Sequence, residues 1–89
     1  MNAQIQTVCD KMASVAGFIS SDIDWTDSAH LSMEWTKEQE DEFRIWLSNE
    51  LKTNKPLRLV MMNIPSNTSK KYLDKAANEF TWQFGFKTK

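Results

Sequence analysis

Two glycines, two prolines, one cysteine and one histidine are all that this 89-residue chain holds of the residues that punctuate, staple or ligate. So little glycine and proline argues against collagen-like repeats, against disorder and against a turn-rich all-β fold. With Cys9 and His30 each alone of their kind, no zinc finger, cysteine cluster or internal disulfide can be assembled, and no metal or other cofactor is expected. Glycine at positions 17 and 85 only leaves neither a P-loop nor a dinucleotide fingerprint, which makes a nucleotide enzyme improbable. Long apolar runs are also missing. No stretch approaches the roughly 18 residues of a membrane span, so no membrane partner is expected. The opening "MNAQIQTVCDKMASVAGF" has neither a basic leader nor an unbroken apolar core. These absences point to a reducing cytoplasm as the location.

The formal net charge of −1 conceals a division. Residues 1–51 carry ten acids against three bases, and residues 52–89 carry eight bases against two acids, balances of −7 and +6. Either the halves attract each other within one compact domain, or the second half offers a basic face to an anionic partner. A chain of this length buries roughly 60% of its unfolded surface around a single core, so residues 1–89 are expected to form one domain.

Apolar periodicity supplies the elements. Ile5, Val8, Cys9, Met12, Val15, Ala16 and Ile19 recur at three and four, the spacing of one helical stripe, and predict an amphipathic helix over 3–19 that Gly17 weakens near its end. The following serine- and aspartate-rich stretch reads as turns, with Trp25 pinning the loop to the core. Within "WTKEQEDEFRIWLSNELK", Thr36 and Gln39 fit a capping box. Glu38, Glu40, Asp41 and Glu42 then sit at the positive end of the helix dipole, and Lys52 and Lys55 near its negative end. Phe43, Trp46, Leu47 and Leu51 form the buried stripe of a helix over 37–53, from which Ile45 projects on the opposite side.

Between Pro56 and Pro65, residues 56–63 suit a short helix, with a buried strand as the alternative. Beyond a polar cap among Ser66, Asn67 and Thr68, the residues Leu73, Ala76, Ala77, Phe80 and Phe84 mark a last helix of about four turns. Gly85 then offers a left-handed stop, after which Phe86 folds back toward Phe80. Alternation of Phe80, Trp82, Phe84 and Phe86 as a strand is the competing reading. The expected fold is therefore all-α: a compact small helical domain of three main helices plus one short helix. Its core is built from Phe43, Trp46, Leu47, Leu51, Phe80, Phe84 and the first helix.

The segments "WTKEQEDEFRIWL" and "LRLVMMNIPSNTSKKYLDKAANEFTWQFGFKTK" resemble a group of small tailed-phage proteins. That group has an E-Q-E-x-x-F-x-x-W-L helix and a C-terminal aromatic-Y-G-W-K-like ending, where this chain has "FGFK". The likeness spans about residues 35–89. It implies a helical phage or prophage accessory protein, cytoplasmic in the host cell, whose family carries no activity to transfer.

Chemistry is sparse. Glu38 and Glu42 share a helix face, but acids in a first turn are explained by the dipole alone. His30 with Ser28 and Asp27 has the residue types of a hydrolase triad, yet adjacency in a turn does not make one, and no catalytic residue is assigned. Cys9 falls on an apolar stripe, where a thiol acts as a small inert hydrophobe. A sharper constellation is Lys71, Lys75, Asn78 and Trp82, spaced four, three and four along the outer side of the last helix. With Ile45 as a second apolar anchor, this stripe suits a protein partner, taken to be a host or phage protein that the chain modulates without enzymatic activity. Sequence-tolerant nucleic-acid binding by the basic half is the alternative, the lysines meeting phosphates while the indole stacks on a base. A homodimer would use the same anchors, and burial of Trp82 by the N-terminal segment would remove them.

Overall fold

The computed structural model describes residues 2–27, 30, 32–62 and 68–89. Asn2 opens the first helix, α1 (Ala3–Ala16), by accepting the amide of Gln4 at 2.7 Å. The helix ends three residues short of the expectation. Gly17 adopts φ +84°, and the Phe18 amide turns back to donate to the Ala13 carbonyl at 2.8 Å, a left-handed stop that only glycine enters without strain. Ile19, expected on the stripe, is consequently exposed, while Val8, Cys9, Met12 and Ala13 are buried. A single 3₁₀ turn at Ser20–Asp22 follows, and Trp25 ties the loop down by donating its indole N–H to the Ser20 carbonyl at 3.2 Å.

Thr36 and Gln39 form the expected capping box of α2 (Lys37–Thr53), each side chain meeting the other's backbone amide, at 3.1 and 2.7 Å. Phe43, Leu47 and Leu51 are fully buried and Trp46 packs beside them. Asn54 then serves two helices, its amide NH₂ donating to Gln4 of α1 and its Oδ1 accepting from Leu57. The segment after it is α3 (Lys55–Met62), a helix and not a strand, with Pro56 in its first turn where a missing N–H costs nothing. The cap of α4 (Lys70–Phe84) is Ser69, which accepts the Tyr72 amide one residue past the expected cap among Ser66, Asn67 and Thr68; Ser66 and Asn67 lie outside the described residues, as do Pro65 and Asn63.

Residues 80–84 are thus helical, and the strand reading of the C-terminal aromatics fails. Three details differ from expectation. Gly85 has φ −76° and ψ 171°, extended rather than left-handed, so its lack of a side chain serves packing instead of a turn. A Cβ there would stand 2.5 Å from the Thr81 carbonyl oxygen and 2.8 Å from the Trp35 ring. Phe86, freed from the helix, packs edge-on against Trp35 at 5.3 Å and stacks on Trp25 at 6.0 Å rather than returning to Phe80. Phe84, expected in the core, is 50% exposed.

The chain's last residues supply an element that periodicity did not announce. Glu34–Trp35 (β1) pairs in parallel with Lys87–Thr88 (β2), the amides of Lys87 and Lys89 donating to the carbonyls of Met33 and Trp35 at 2.7 and 3.1 Å. Trp35 is thereby drawn to 1% exposure at the centre of the core, between Phe43 and Phe86. Otherwise the domain is all-α: three main helices and one short one. Its radius of gyration of 12.6 Å matches the ~12 Å expected for a globule of this length.

Candidate functional site

α2 and α4 pack as an antiparallel pair. Ser48 and Lys52, late in α2, both reach Asp74, early in α4, whereas Glu40, early in α2, accepts the hydroxyl of Thr88 beyond the end of α4. Between the two helices runs a continuous surface groove. One section, of about 290 Å³, is lined by Arg44, Ile45, Ser48, Asn49, Lys52, Asp74 and Asn78. Its neighbour, of about 460 Å³, shares Arg44 and Asn78 and extends past Thr81 and Trp82 to Lys87 and Thr88.

Helical phase explains who stands on the rim. On α4 the buried positions are Leu73, Ala76, Ala77 and Thr81, so residues 71, 75, 78 and 82 fall on the far side of the 3.6-residue turn. Trp82 is accordingly 84% exposed, and its ring stacks on no other described ring. Burial of this indole by the N-terminal segment does not occur. Lys71, Lys75 and Asn78 are exposed beside it, and neither lysine makes an ion pair among the described residues. On α2, Ile45 is 58% exposed opposite Phe43 and Leu47. The structure therefore gathers Ile45, Asn78 and Trp82 along one groove; Lys71 and Lys75 continue the stripe toward the start of α4, next to Tyr72.

The charge division resolves locally. Lys37 bridges Glu40 and Asp41 at 3.2 and 3.0 Å, Arg44 reaches Asp41 at 2.8 Å, and Lys52 meets Asp74 at 2.8 Å, each pair staying within its own half of the chain. The lysine beside Asp41, and Lys52 with Ser48 beside Asp74, hold both carboxyls below the usual carboxylate range. Such groups are fixed as anions and have no spare proton for acid catalysis. Arg58, counted with the basic half, is only 5% exposed: its guanidinium turns inward and donates to the carbonyls of Leu51 and Lys52 at the end of α2. It is removed from any basic face.

Sequence reasoning did not find a second, apolar cleft of about 240 Å³ lined by α1, α3, the end of α4 and the Trp25 loop. Cys9 and His30 both border it. Burial, with a smaller push from Asp10, raises the Cys9 thiol to about 11, so it is no nucleophile at neutral pH. One ring nitrogen of His30 lies 2.7 Å from the Asp27 carbonyl, a turn-closing contact, and Ser28 lies outside the described residues. Among the described residues no group of His, Cys, Asp and Glu is placed to hold a metal, and no helix is long and apolar enough to cross a membrane.

No family model, curated protein or solved structure matches the chain.

Proposed function

We propose that the chain is a non-enzymatic protein-binding domain, a phage-type accessory protein whose α2–α4 face docks on a host or phage protein. The observation that carries this reading is the exposure of Trp82 at 84% on a regular helix, with Ile45 across the same groove. Leaving an indole in water forgoes a large apolar burial, and tryptophan is the side chain most enriched among the energetic centres of protein interfaces. Lys71 and Lys75, which make no ion pair among the described residues, supply a polar rim that steers approach. Phage character rests on the motif resemblance alone.

Single-stranded nucleic acid is the second reading, favoured by the same indole between lysines. It is weakened by two observations: Arg58 is withdrawn into the interior, and the acids of the first turn of α2 stand on the adjacent helix. The test compares wild type with Trp82→Ala and Ile45→Ala as bait in host lysate, with captured proteins identified and rebuilt as purified pairs. Loss of one specific protein from both variants supports docking; identical recovery by all three baits refutes it. An oligonucleotide whose affinity falls steeply with salt would instead favour the second reading.

A further inference from the structure

The apolar cleft of about 240 Å³ shares none of its described residues with the α2–α4 groove. One wall is the stripe of α1, where Ile5, Val8 and Met12 follow one another at three and four residues. Val60 of α3 joins it, as do Phe80 and Phe84 at the end of α4, their rings 5.1 Å apart. The loop after α1 completes it with the indole of Trp25 and the ring of His30, centroids 5.3 Å apart. Val60 and Phe84, 39% and 50% exposed, are large apolar residues that the core leaves uncovered, and both border this one hollow. Exposed apolar side chains gathered round a concavity, instead of scattered singly, mark a place for a ligand.

We infer that this cleft binds a small, neutral aromatic alcohol, a phenol with a short substituent. Volume sets the size: a closed apolar cavity of about 150 Å³ accepts benzene, so about 240 Å³ admits one ring and a little more. Charge sets the class. None of the cleft's described residues carries a fixed charge, so an ammonium or a carboxylate entering it would lose its water without gaining a partner. Asp10 beside Cys9, and Asp24 beside His30, add to the cost of an anion. Two polar groups set the substituent. Nδ1 of His30 lies 2.7 Å from the Asp27 carbonyl, which can only accept, so Nδ1 carries the hydrogen and Nε2 of the neutral ring is an acceptor. Cys9, only 9% exposed, lines the cleft with a protonated thiol that makes no hydrogen bond among the described residues. A hydroxyl suits both kinds of group, since it can donate to a ring nitrogen and accept from a thiol; a hydrocarbon suits neither.

A ligand of about eight heavy atoms is held weakly, with a Kd on the order of 0.1–1 mM. The alcohol should bind about fivefold more tightly than the hydrocarbon of the same shape, the worth of one net hydrogen bond. Trp82 lies outside this cleft, so the site stands apart from the docking face.

Titration of the full chain with p-cresol, toluene and p-toluate, followed through its amide and indole proton–nitrogen resonances, tests this. The cresol should shift the signals of Cys9, Met12 and the Trp25 indole saturably. Toluene should do so about fivefold more weakly, and the p-toluate anion at least about tenfold more weakly. His30→Phe keeps a ring against Trp25 and removes the acceptor, so it should bind toluene as before and lose the preference for the cresol. Val60→Trp, at a partly exposed position on α3, should fill the cleft and weaken cresol binding at least about tenfold, with helical circular dichroism unchanged. Trp82→Ala should leave all three titrations as they are. The inference is overturned if cresol up to about 10 mM moves none of the cleft signals saturably, or if p-toluate binds as well as the cresol. It fails equally if His30→Phe keeps the full preference, if Val60→Trp binds at full strength, or if Trp82→Ala abolishes binding, which would move the ligand to the α2–α4 groove.

Discussion

Gly85 lies so close beneath the indole of Trp35 that a methyl group added to it would sit 2.8 Å from the ring carbon Cζ2. One residue from each end of a 50-residue separation is thereby fixed against the other, where the chain leaves α4 to pair as β2. The two glycines of the protein consequently do different work.

Gly85→Ala should lose about 2–3 kcal/mol, because the added methyl also meets the Thr81 carbonyl at 2.5 Å and backbone cannot yield as a flexible side chain does. Gly17→Ala should lose about 1 kcal/mol, purely from the left-handed backbone, since nothing lies within 4 Å of the new group. Urea unfolding of both variants checks the order. Equal losses would mean that the C-terminal residues do not hold Trp35 as described.

Gln39 is a junction as well as a cap: its Nε2 donates to the Val15 carbonyl of α1 at 3.1 Å while its Oε1 accepts from Thr36. Gln39→Glu keeps the acceptor and suits the helix dipole, yet it loses the donor and sets a carboxylate against that carbonyl. A net loss of about 1 kcal/mol is expected at neutral pH. Thermal unfolding at or above the wild-type midpoint would show that the contact between helices contributes nothing.

Arg58 satisfies the carbonyls that end α2 from within the fold. Arg58→Met preserves much of the apolar stem and removes the donors, so about 2 kcal/mol should be lost. The same variant should leave capture of a docking partner unchanged, because Arg58 is buried. Reduced capture at full folding would return this residue to the binding face.

Asp41 and Asp74 titrate below the carboxylate norm of 3.8, so protonation is harder in the folded chain than in the unfolded one. Their contribution is fully present above the unfolded value and is lost as pH falls through the lowered folded values. Asp74→Asn should lower the unfolding midpoint slightly at neutral pH and flatten its fall as the solution is acidified through the carboxylate range. An acid limb as steep as that of wild type would show that the Lys52 and Ser48 contacts of Asp74 do not persist in solution.

Local physics made much of this protein legible. The caps at Thr36 and Gln39, the spacing of Phe43, Leu47 and Leu51, and the apolar face of α4 are all written within one or two helical turns, the range over which helical hydrogen bonds and side-chain phase operate. The outward position of Trp82 followed from the same phase. What lay beyond that range was decided by the folded chain. Trp35 became central and Phe84 peripheral because two residues at each of two distant places paired in parallel, a contact whose partners no local period can name. Arg58 turned inward because the end of α2 lay within its reach, and the groove joining Ile45 to Trp82 exists only because α4 lies antiparallel on α2. Sequence sets which face of each helix is apolar; packing alone decides what stands across from it.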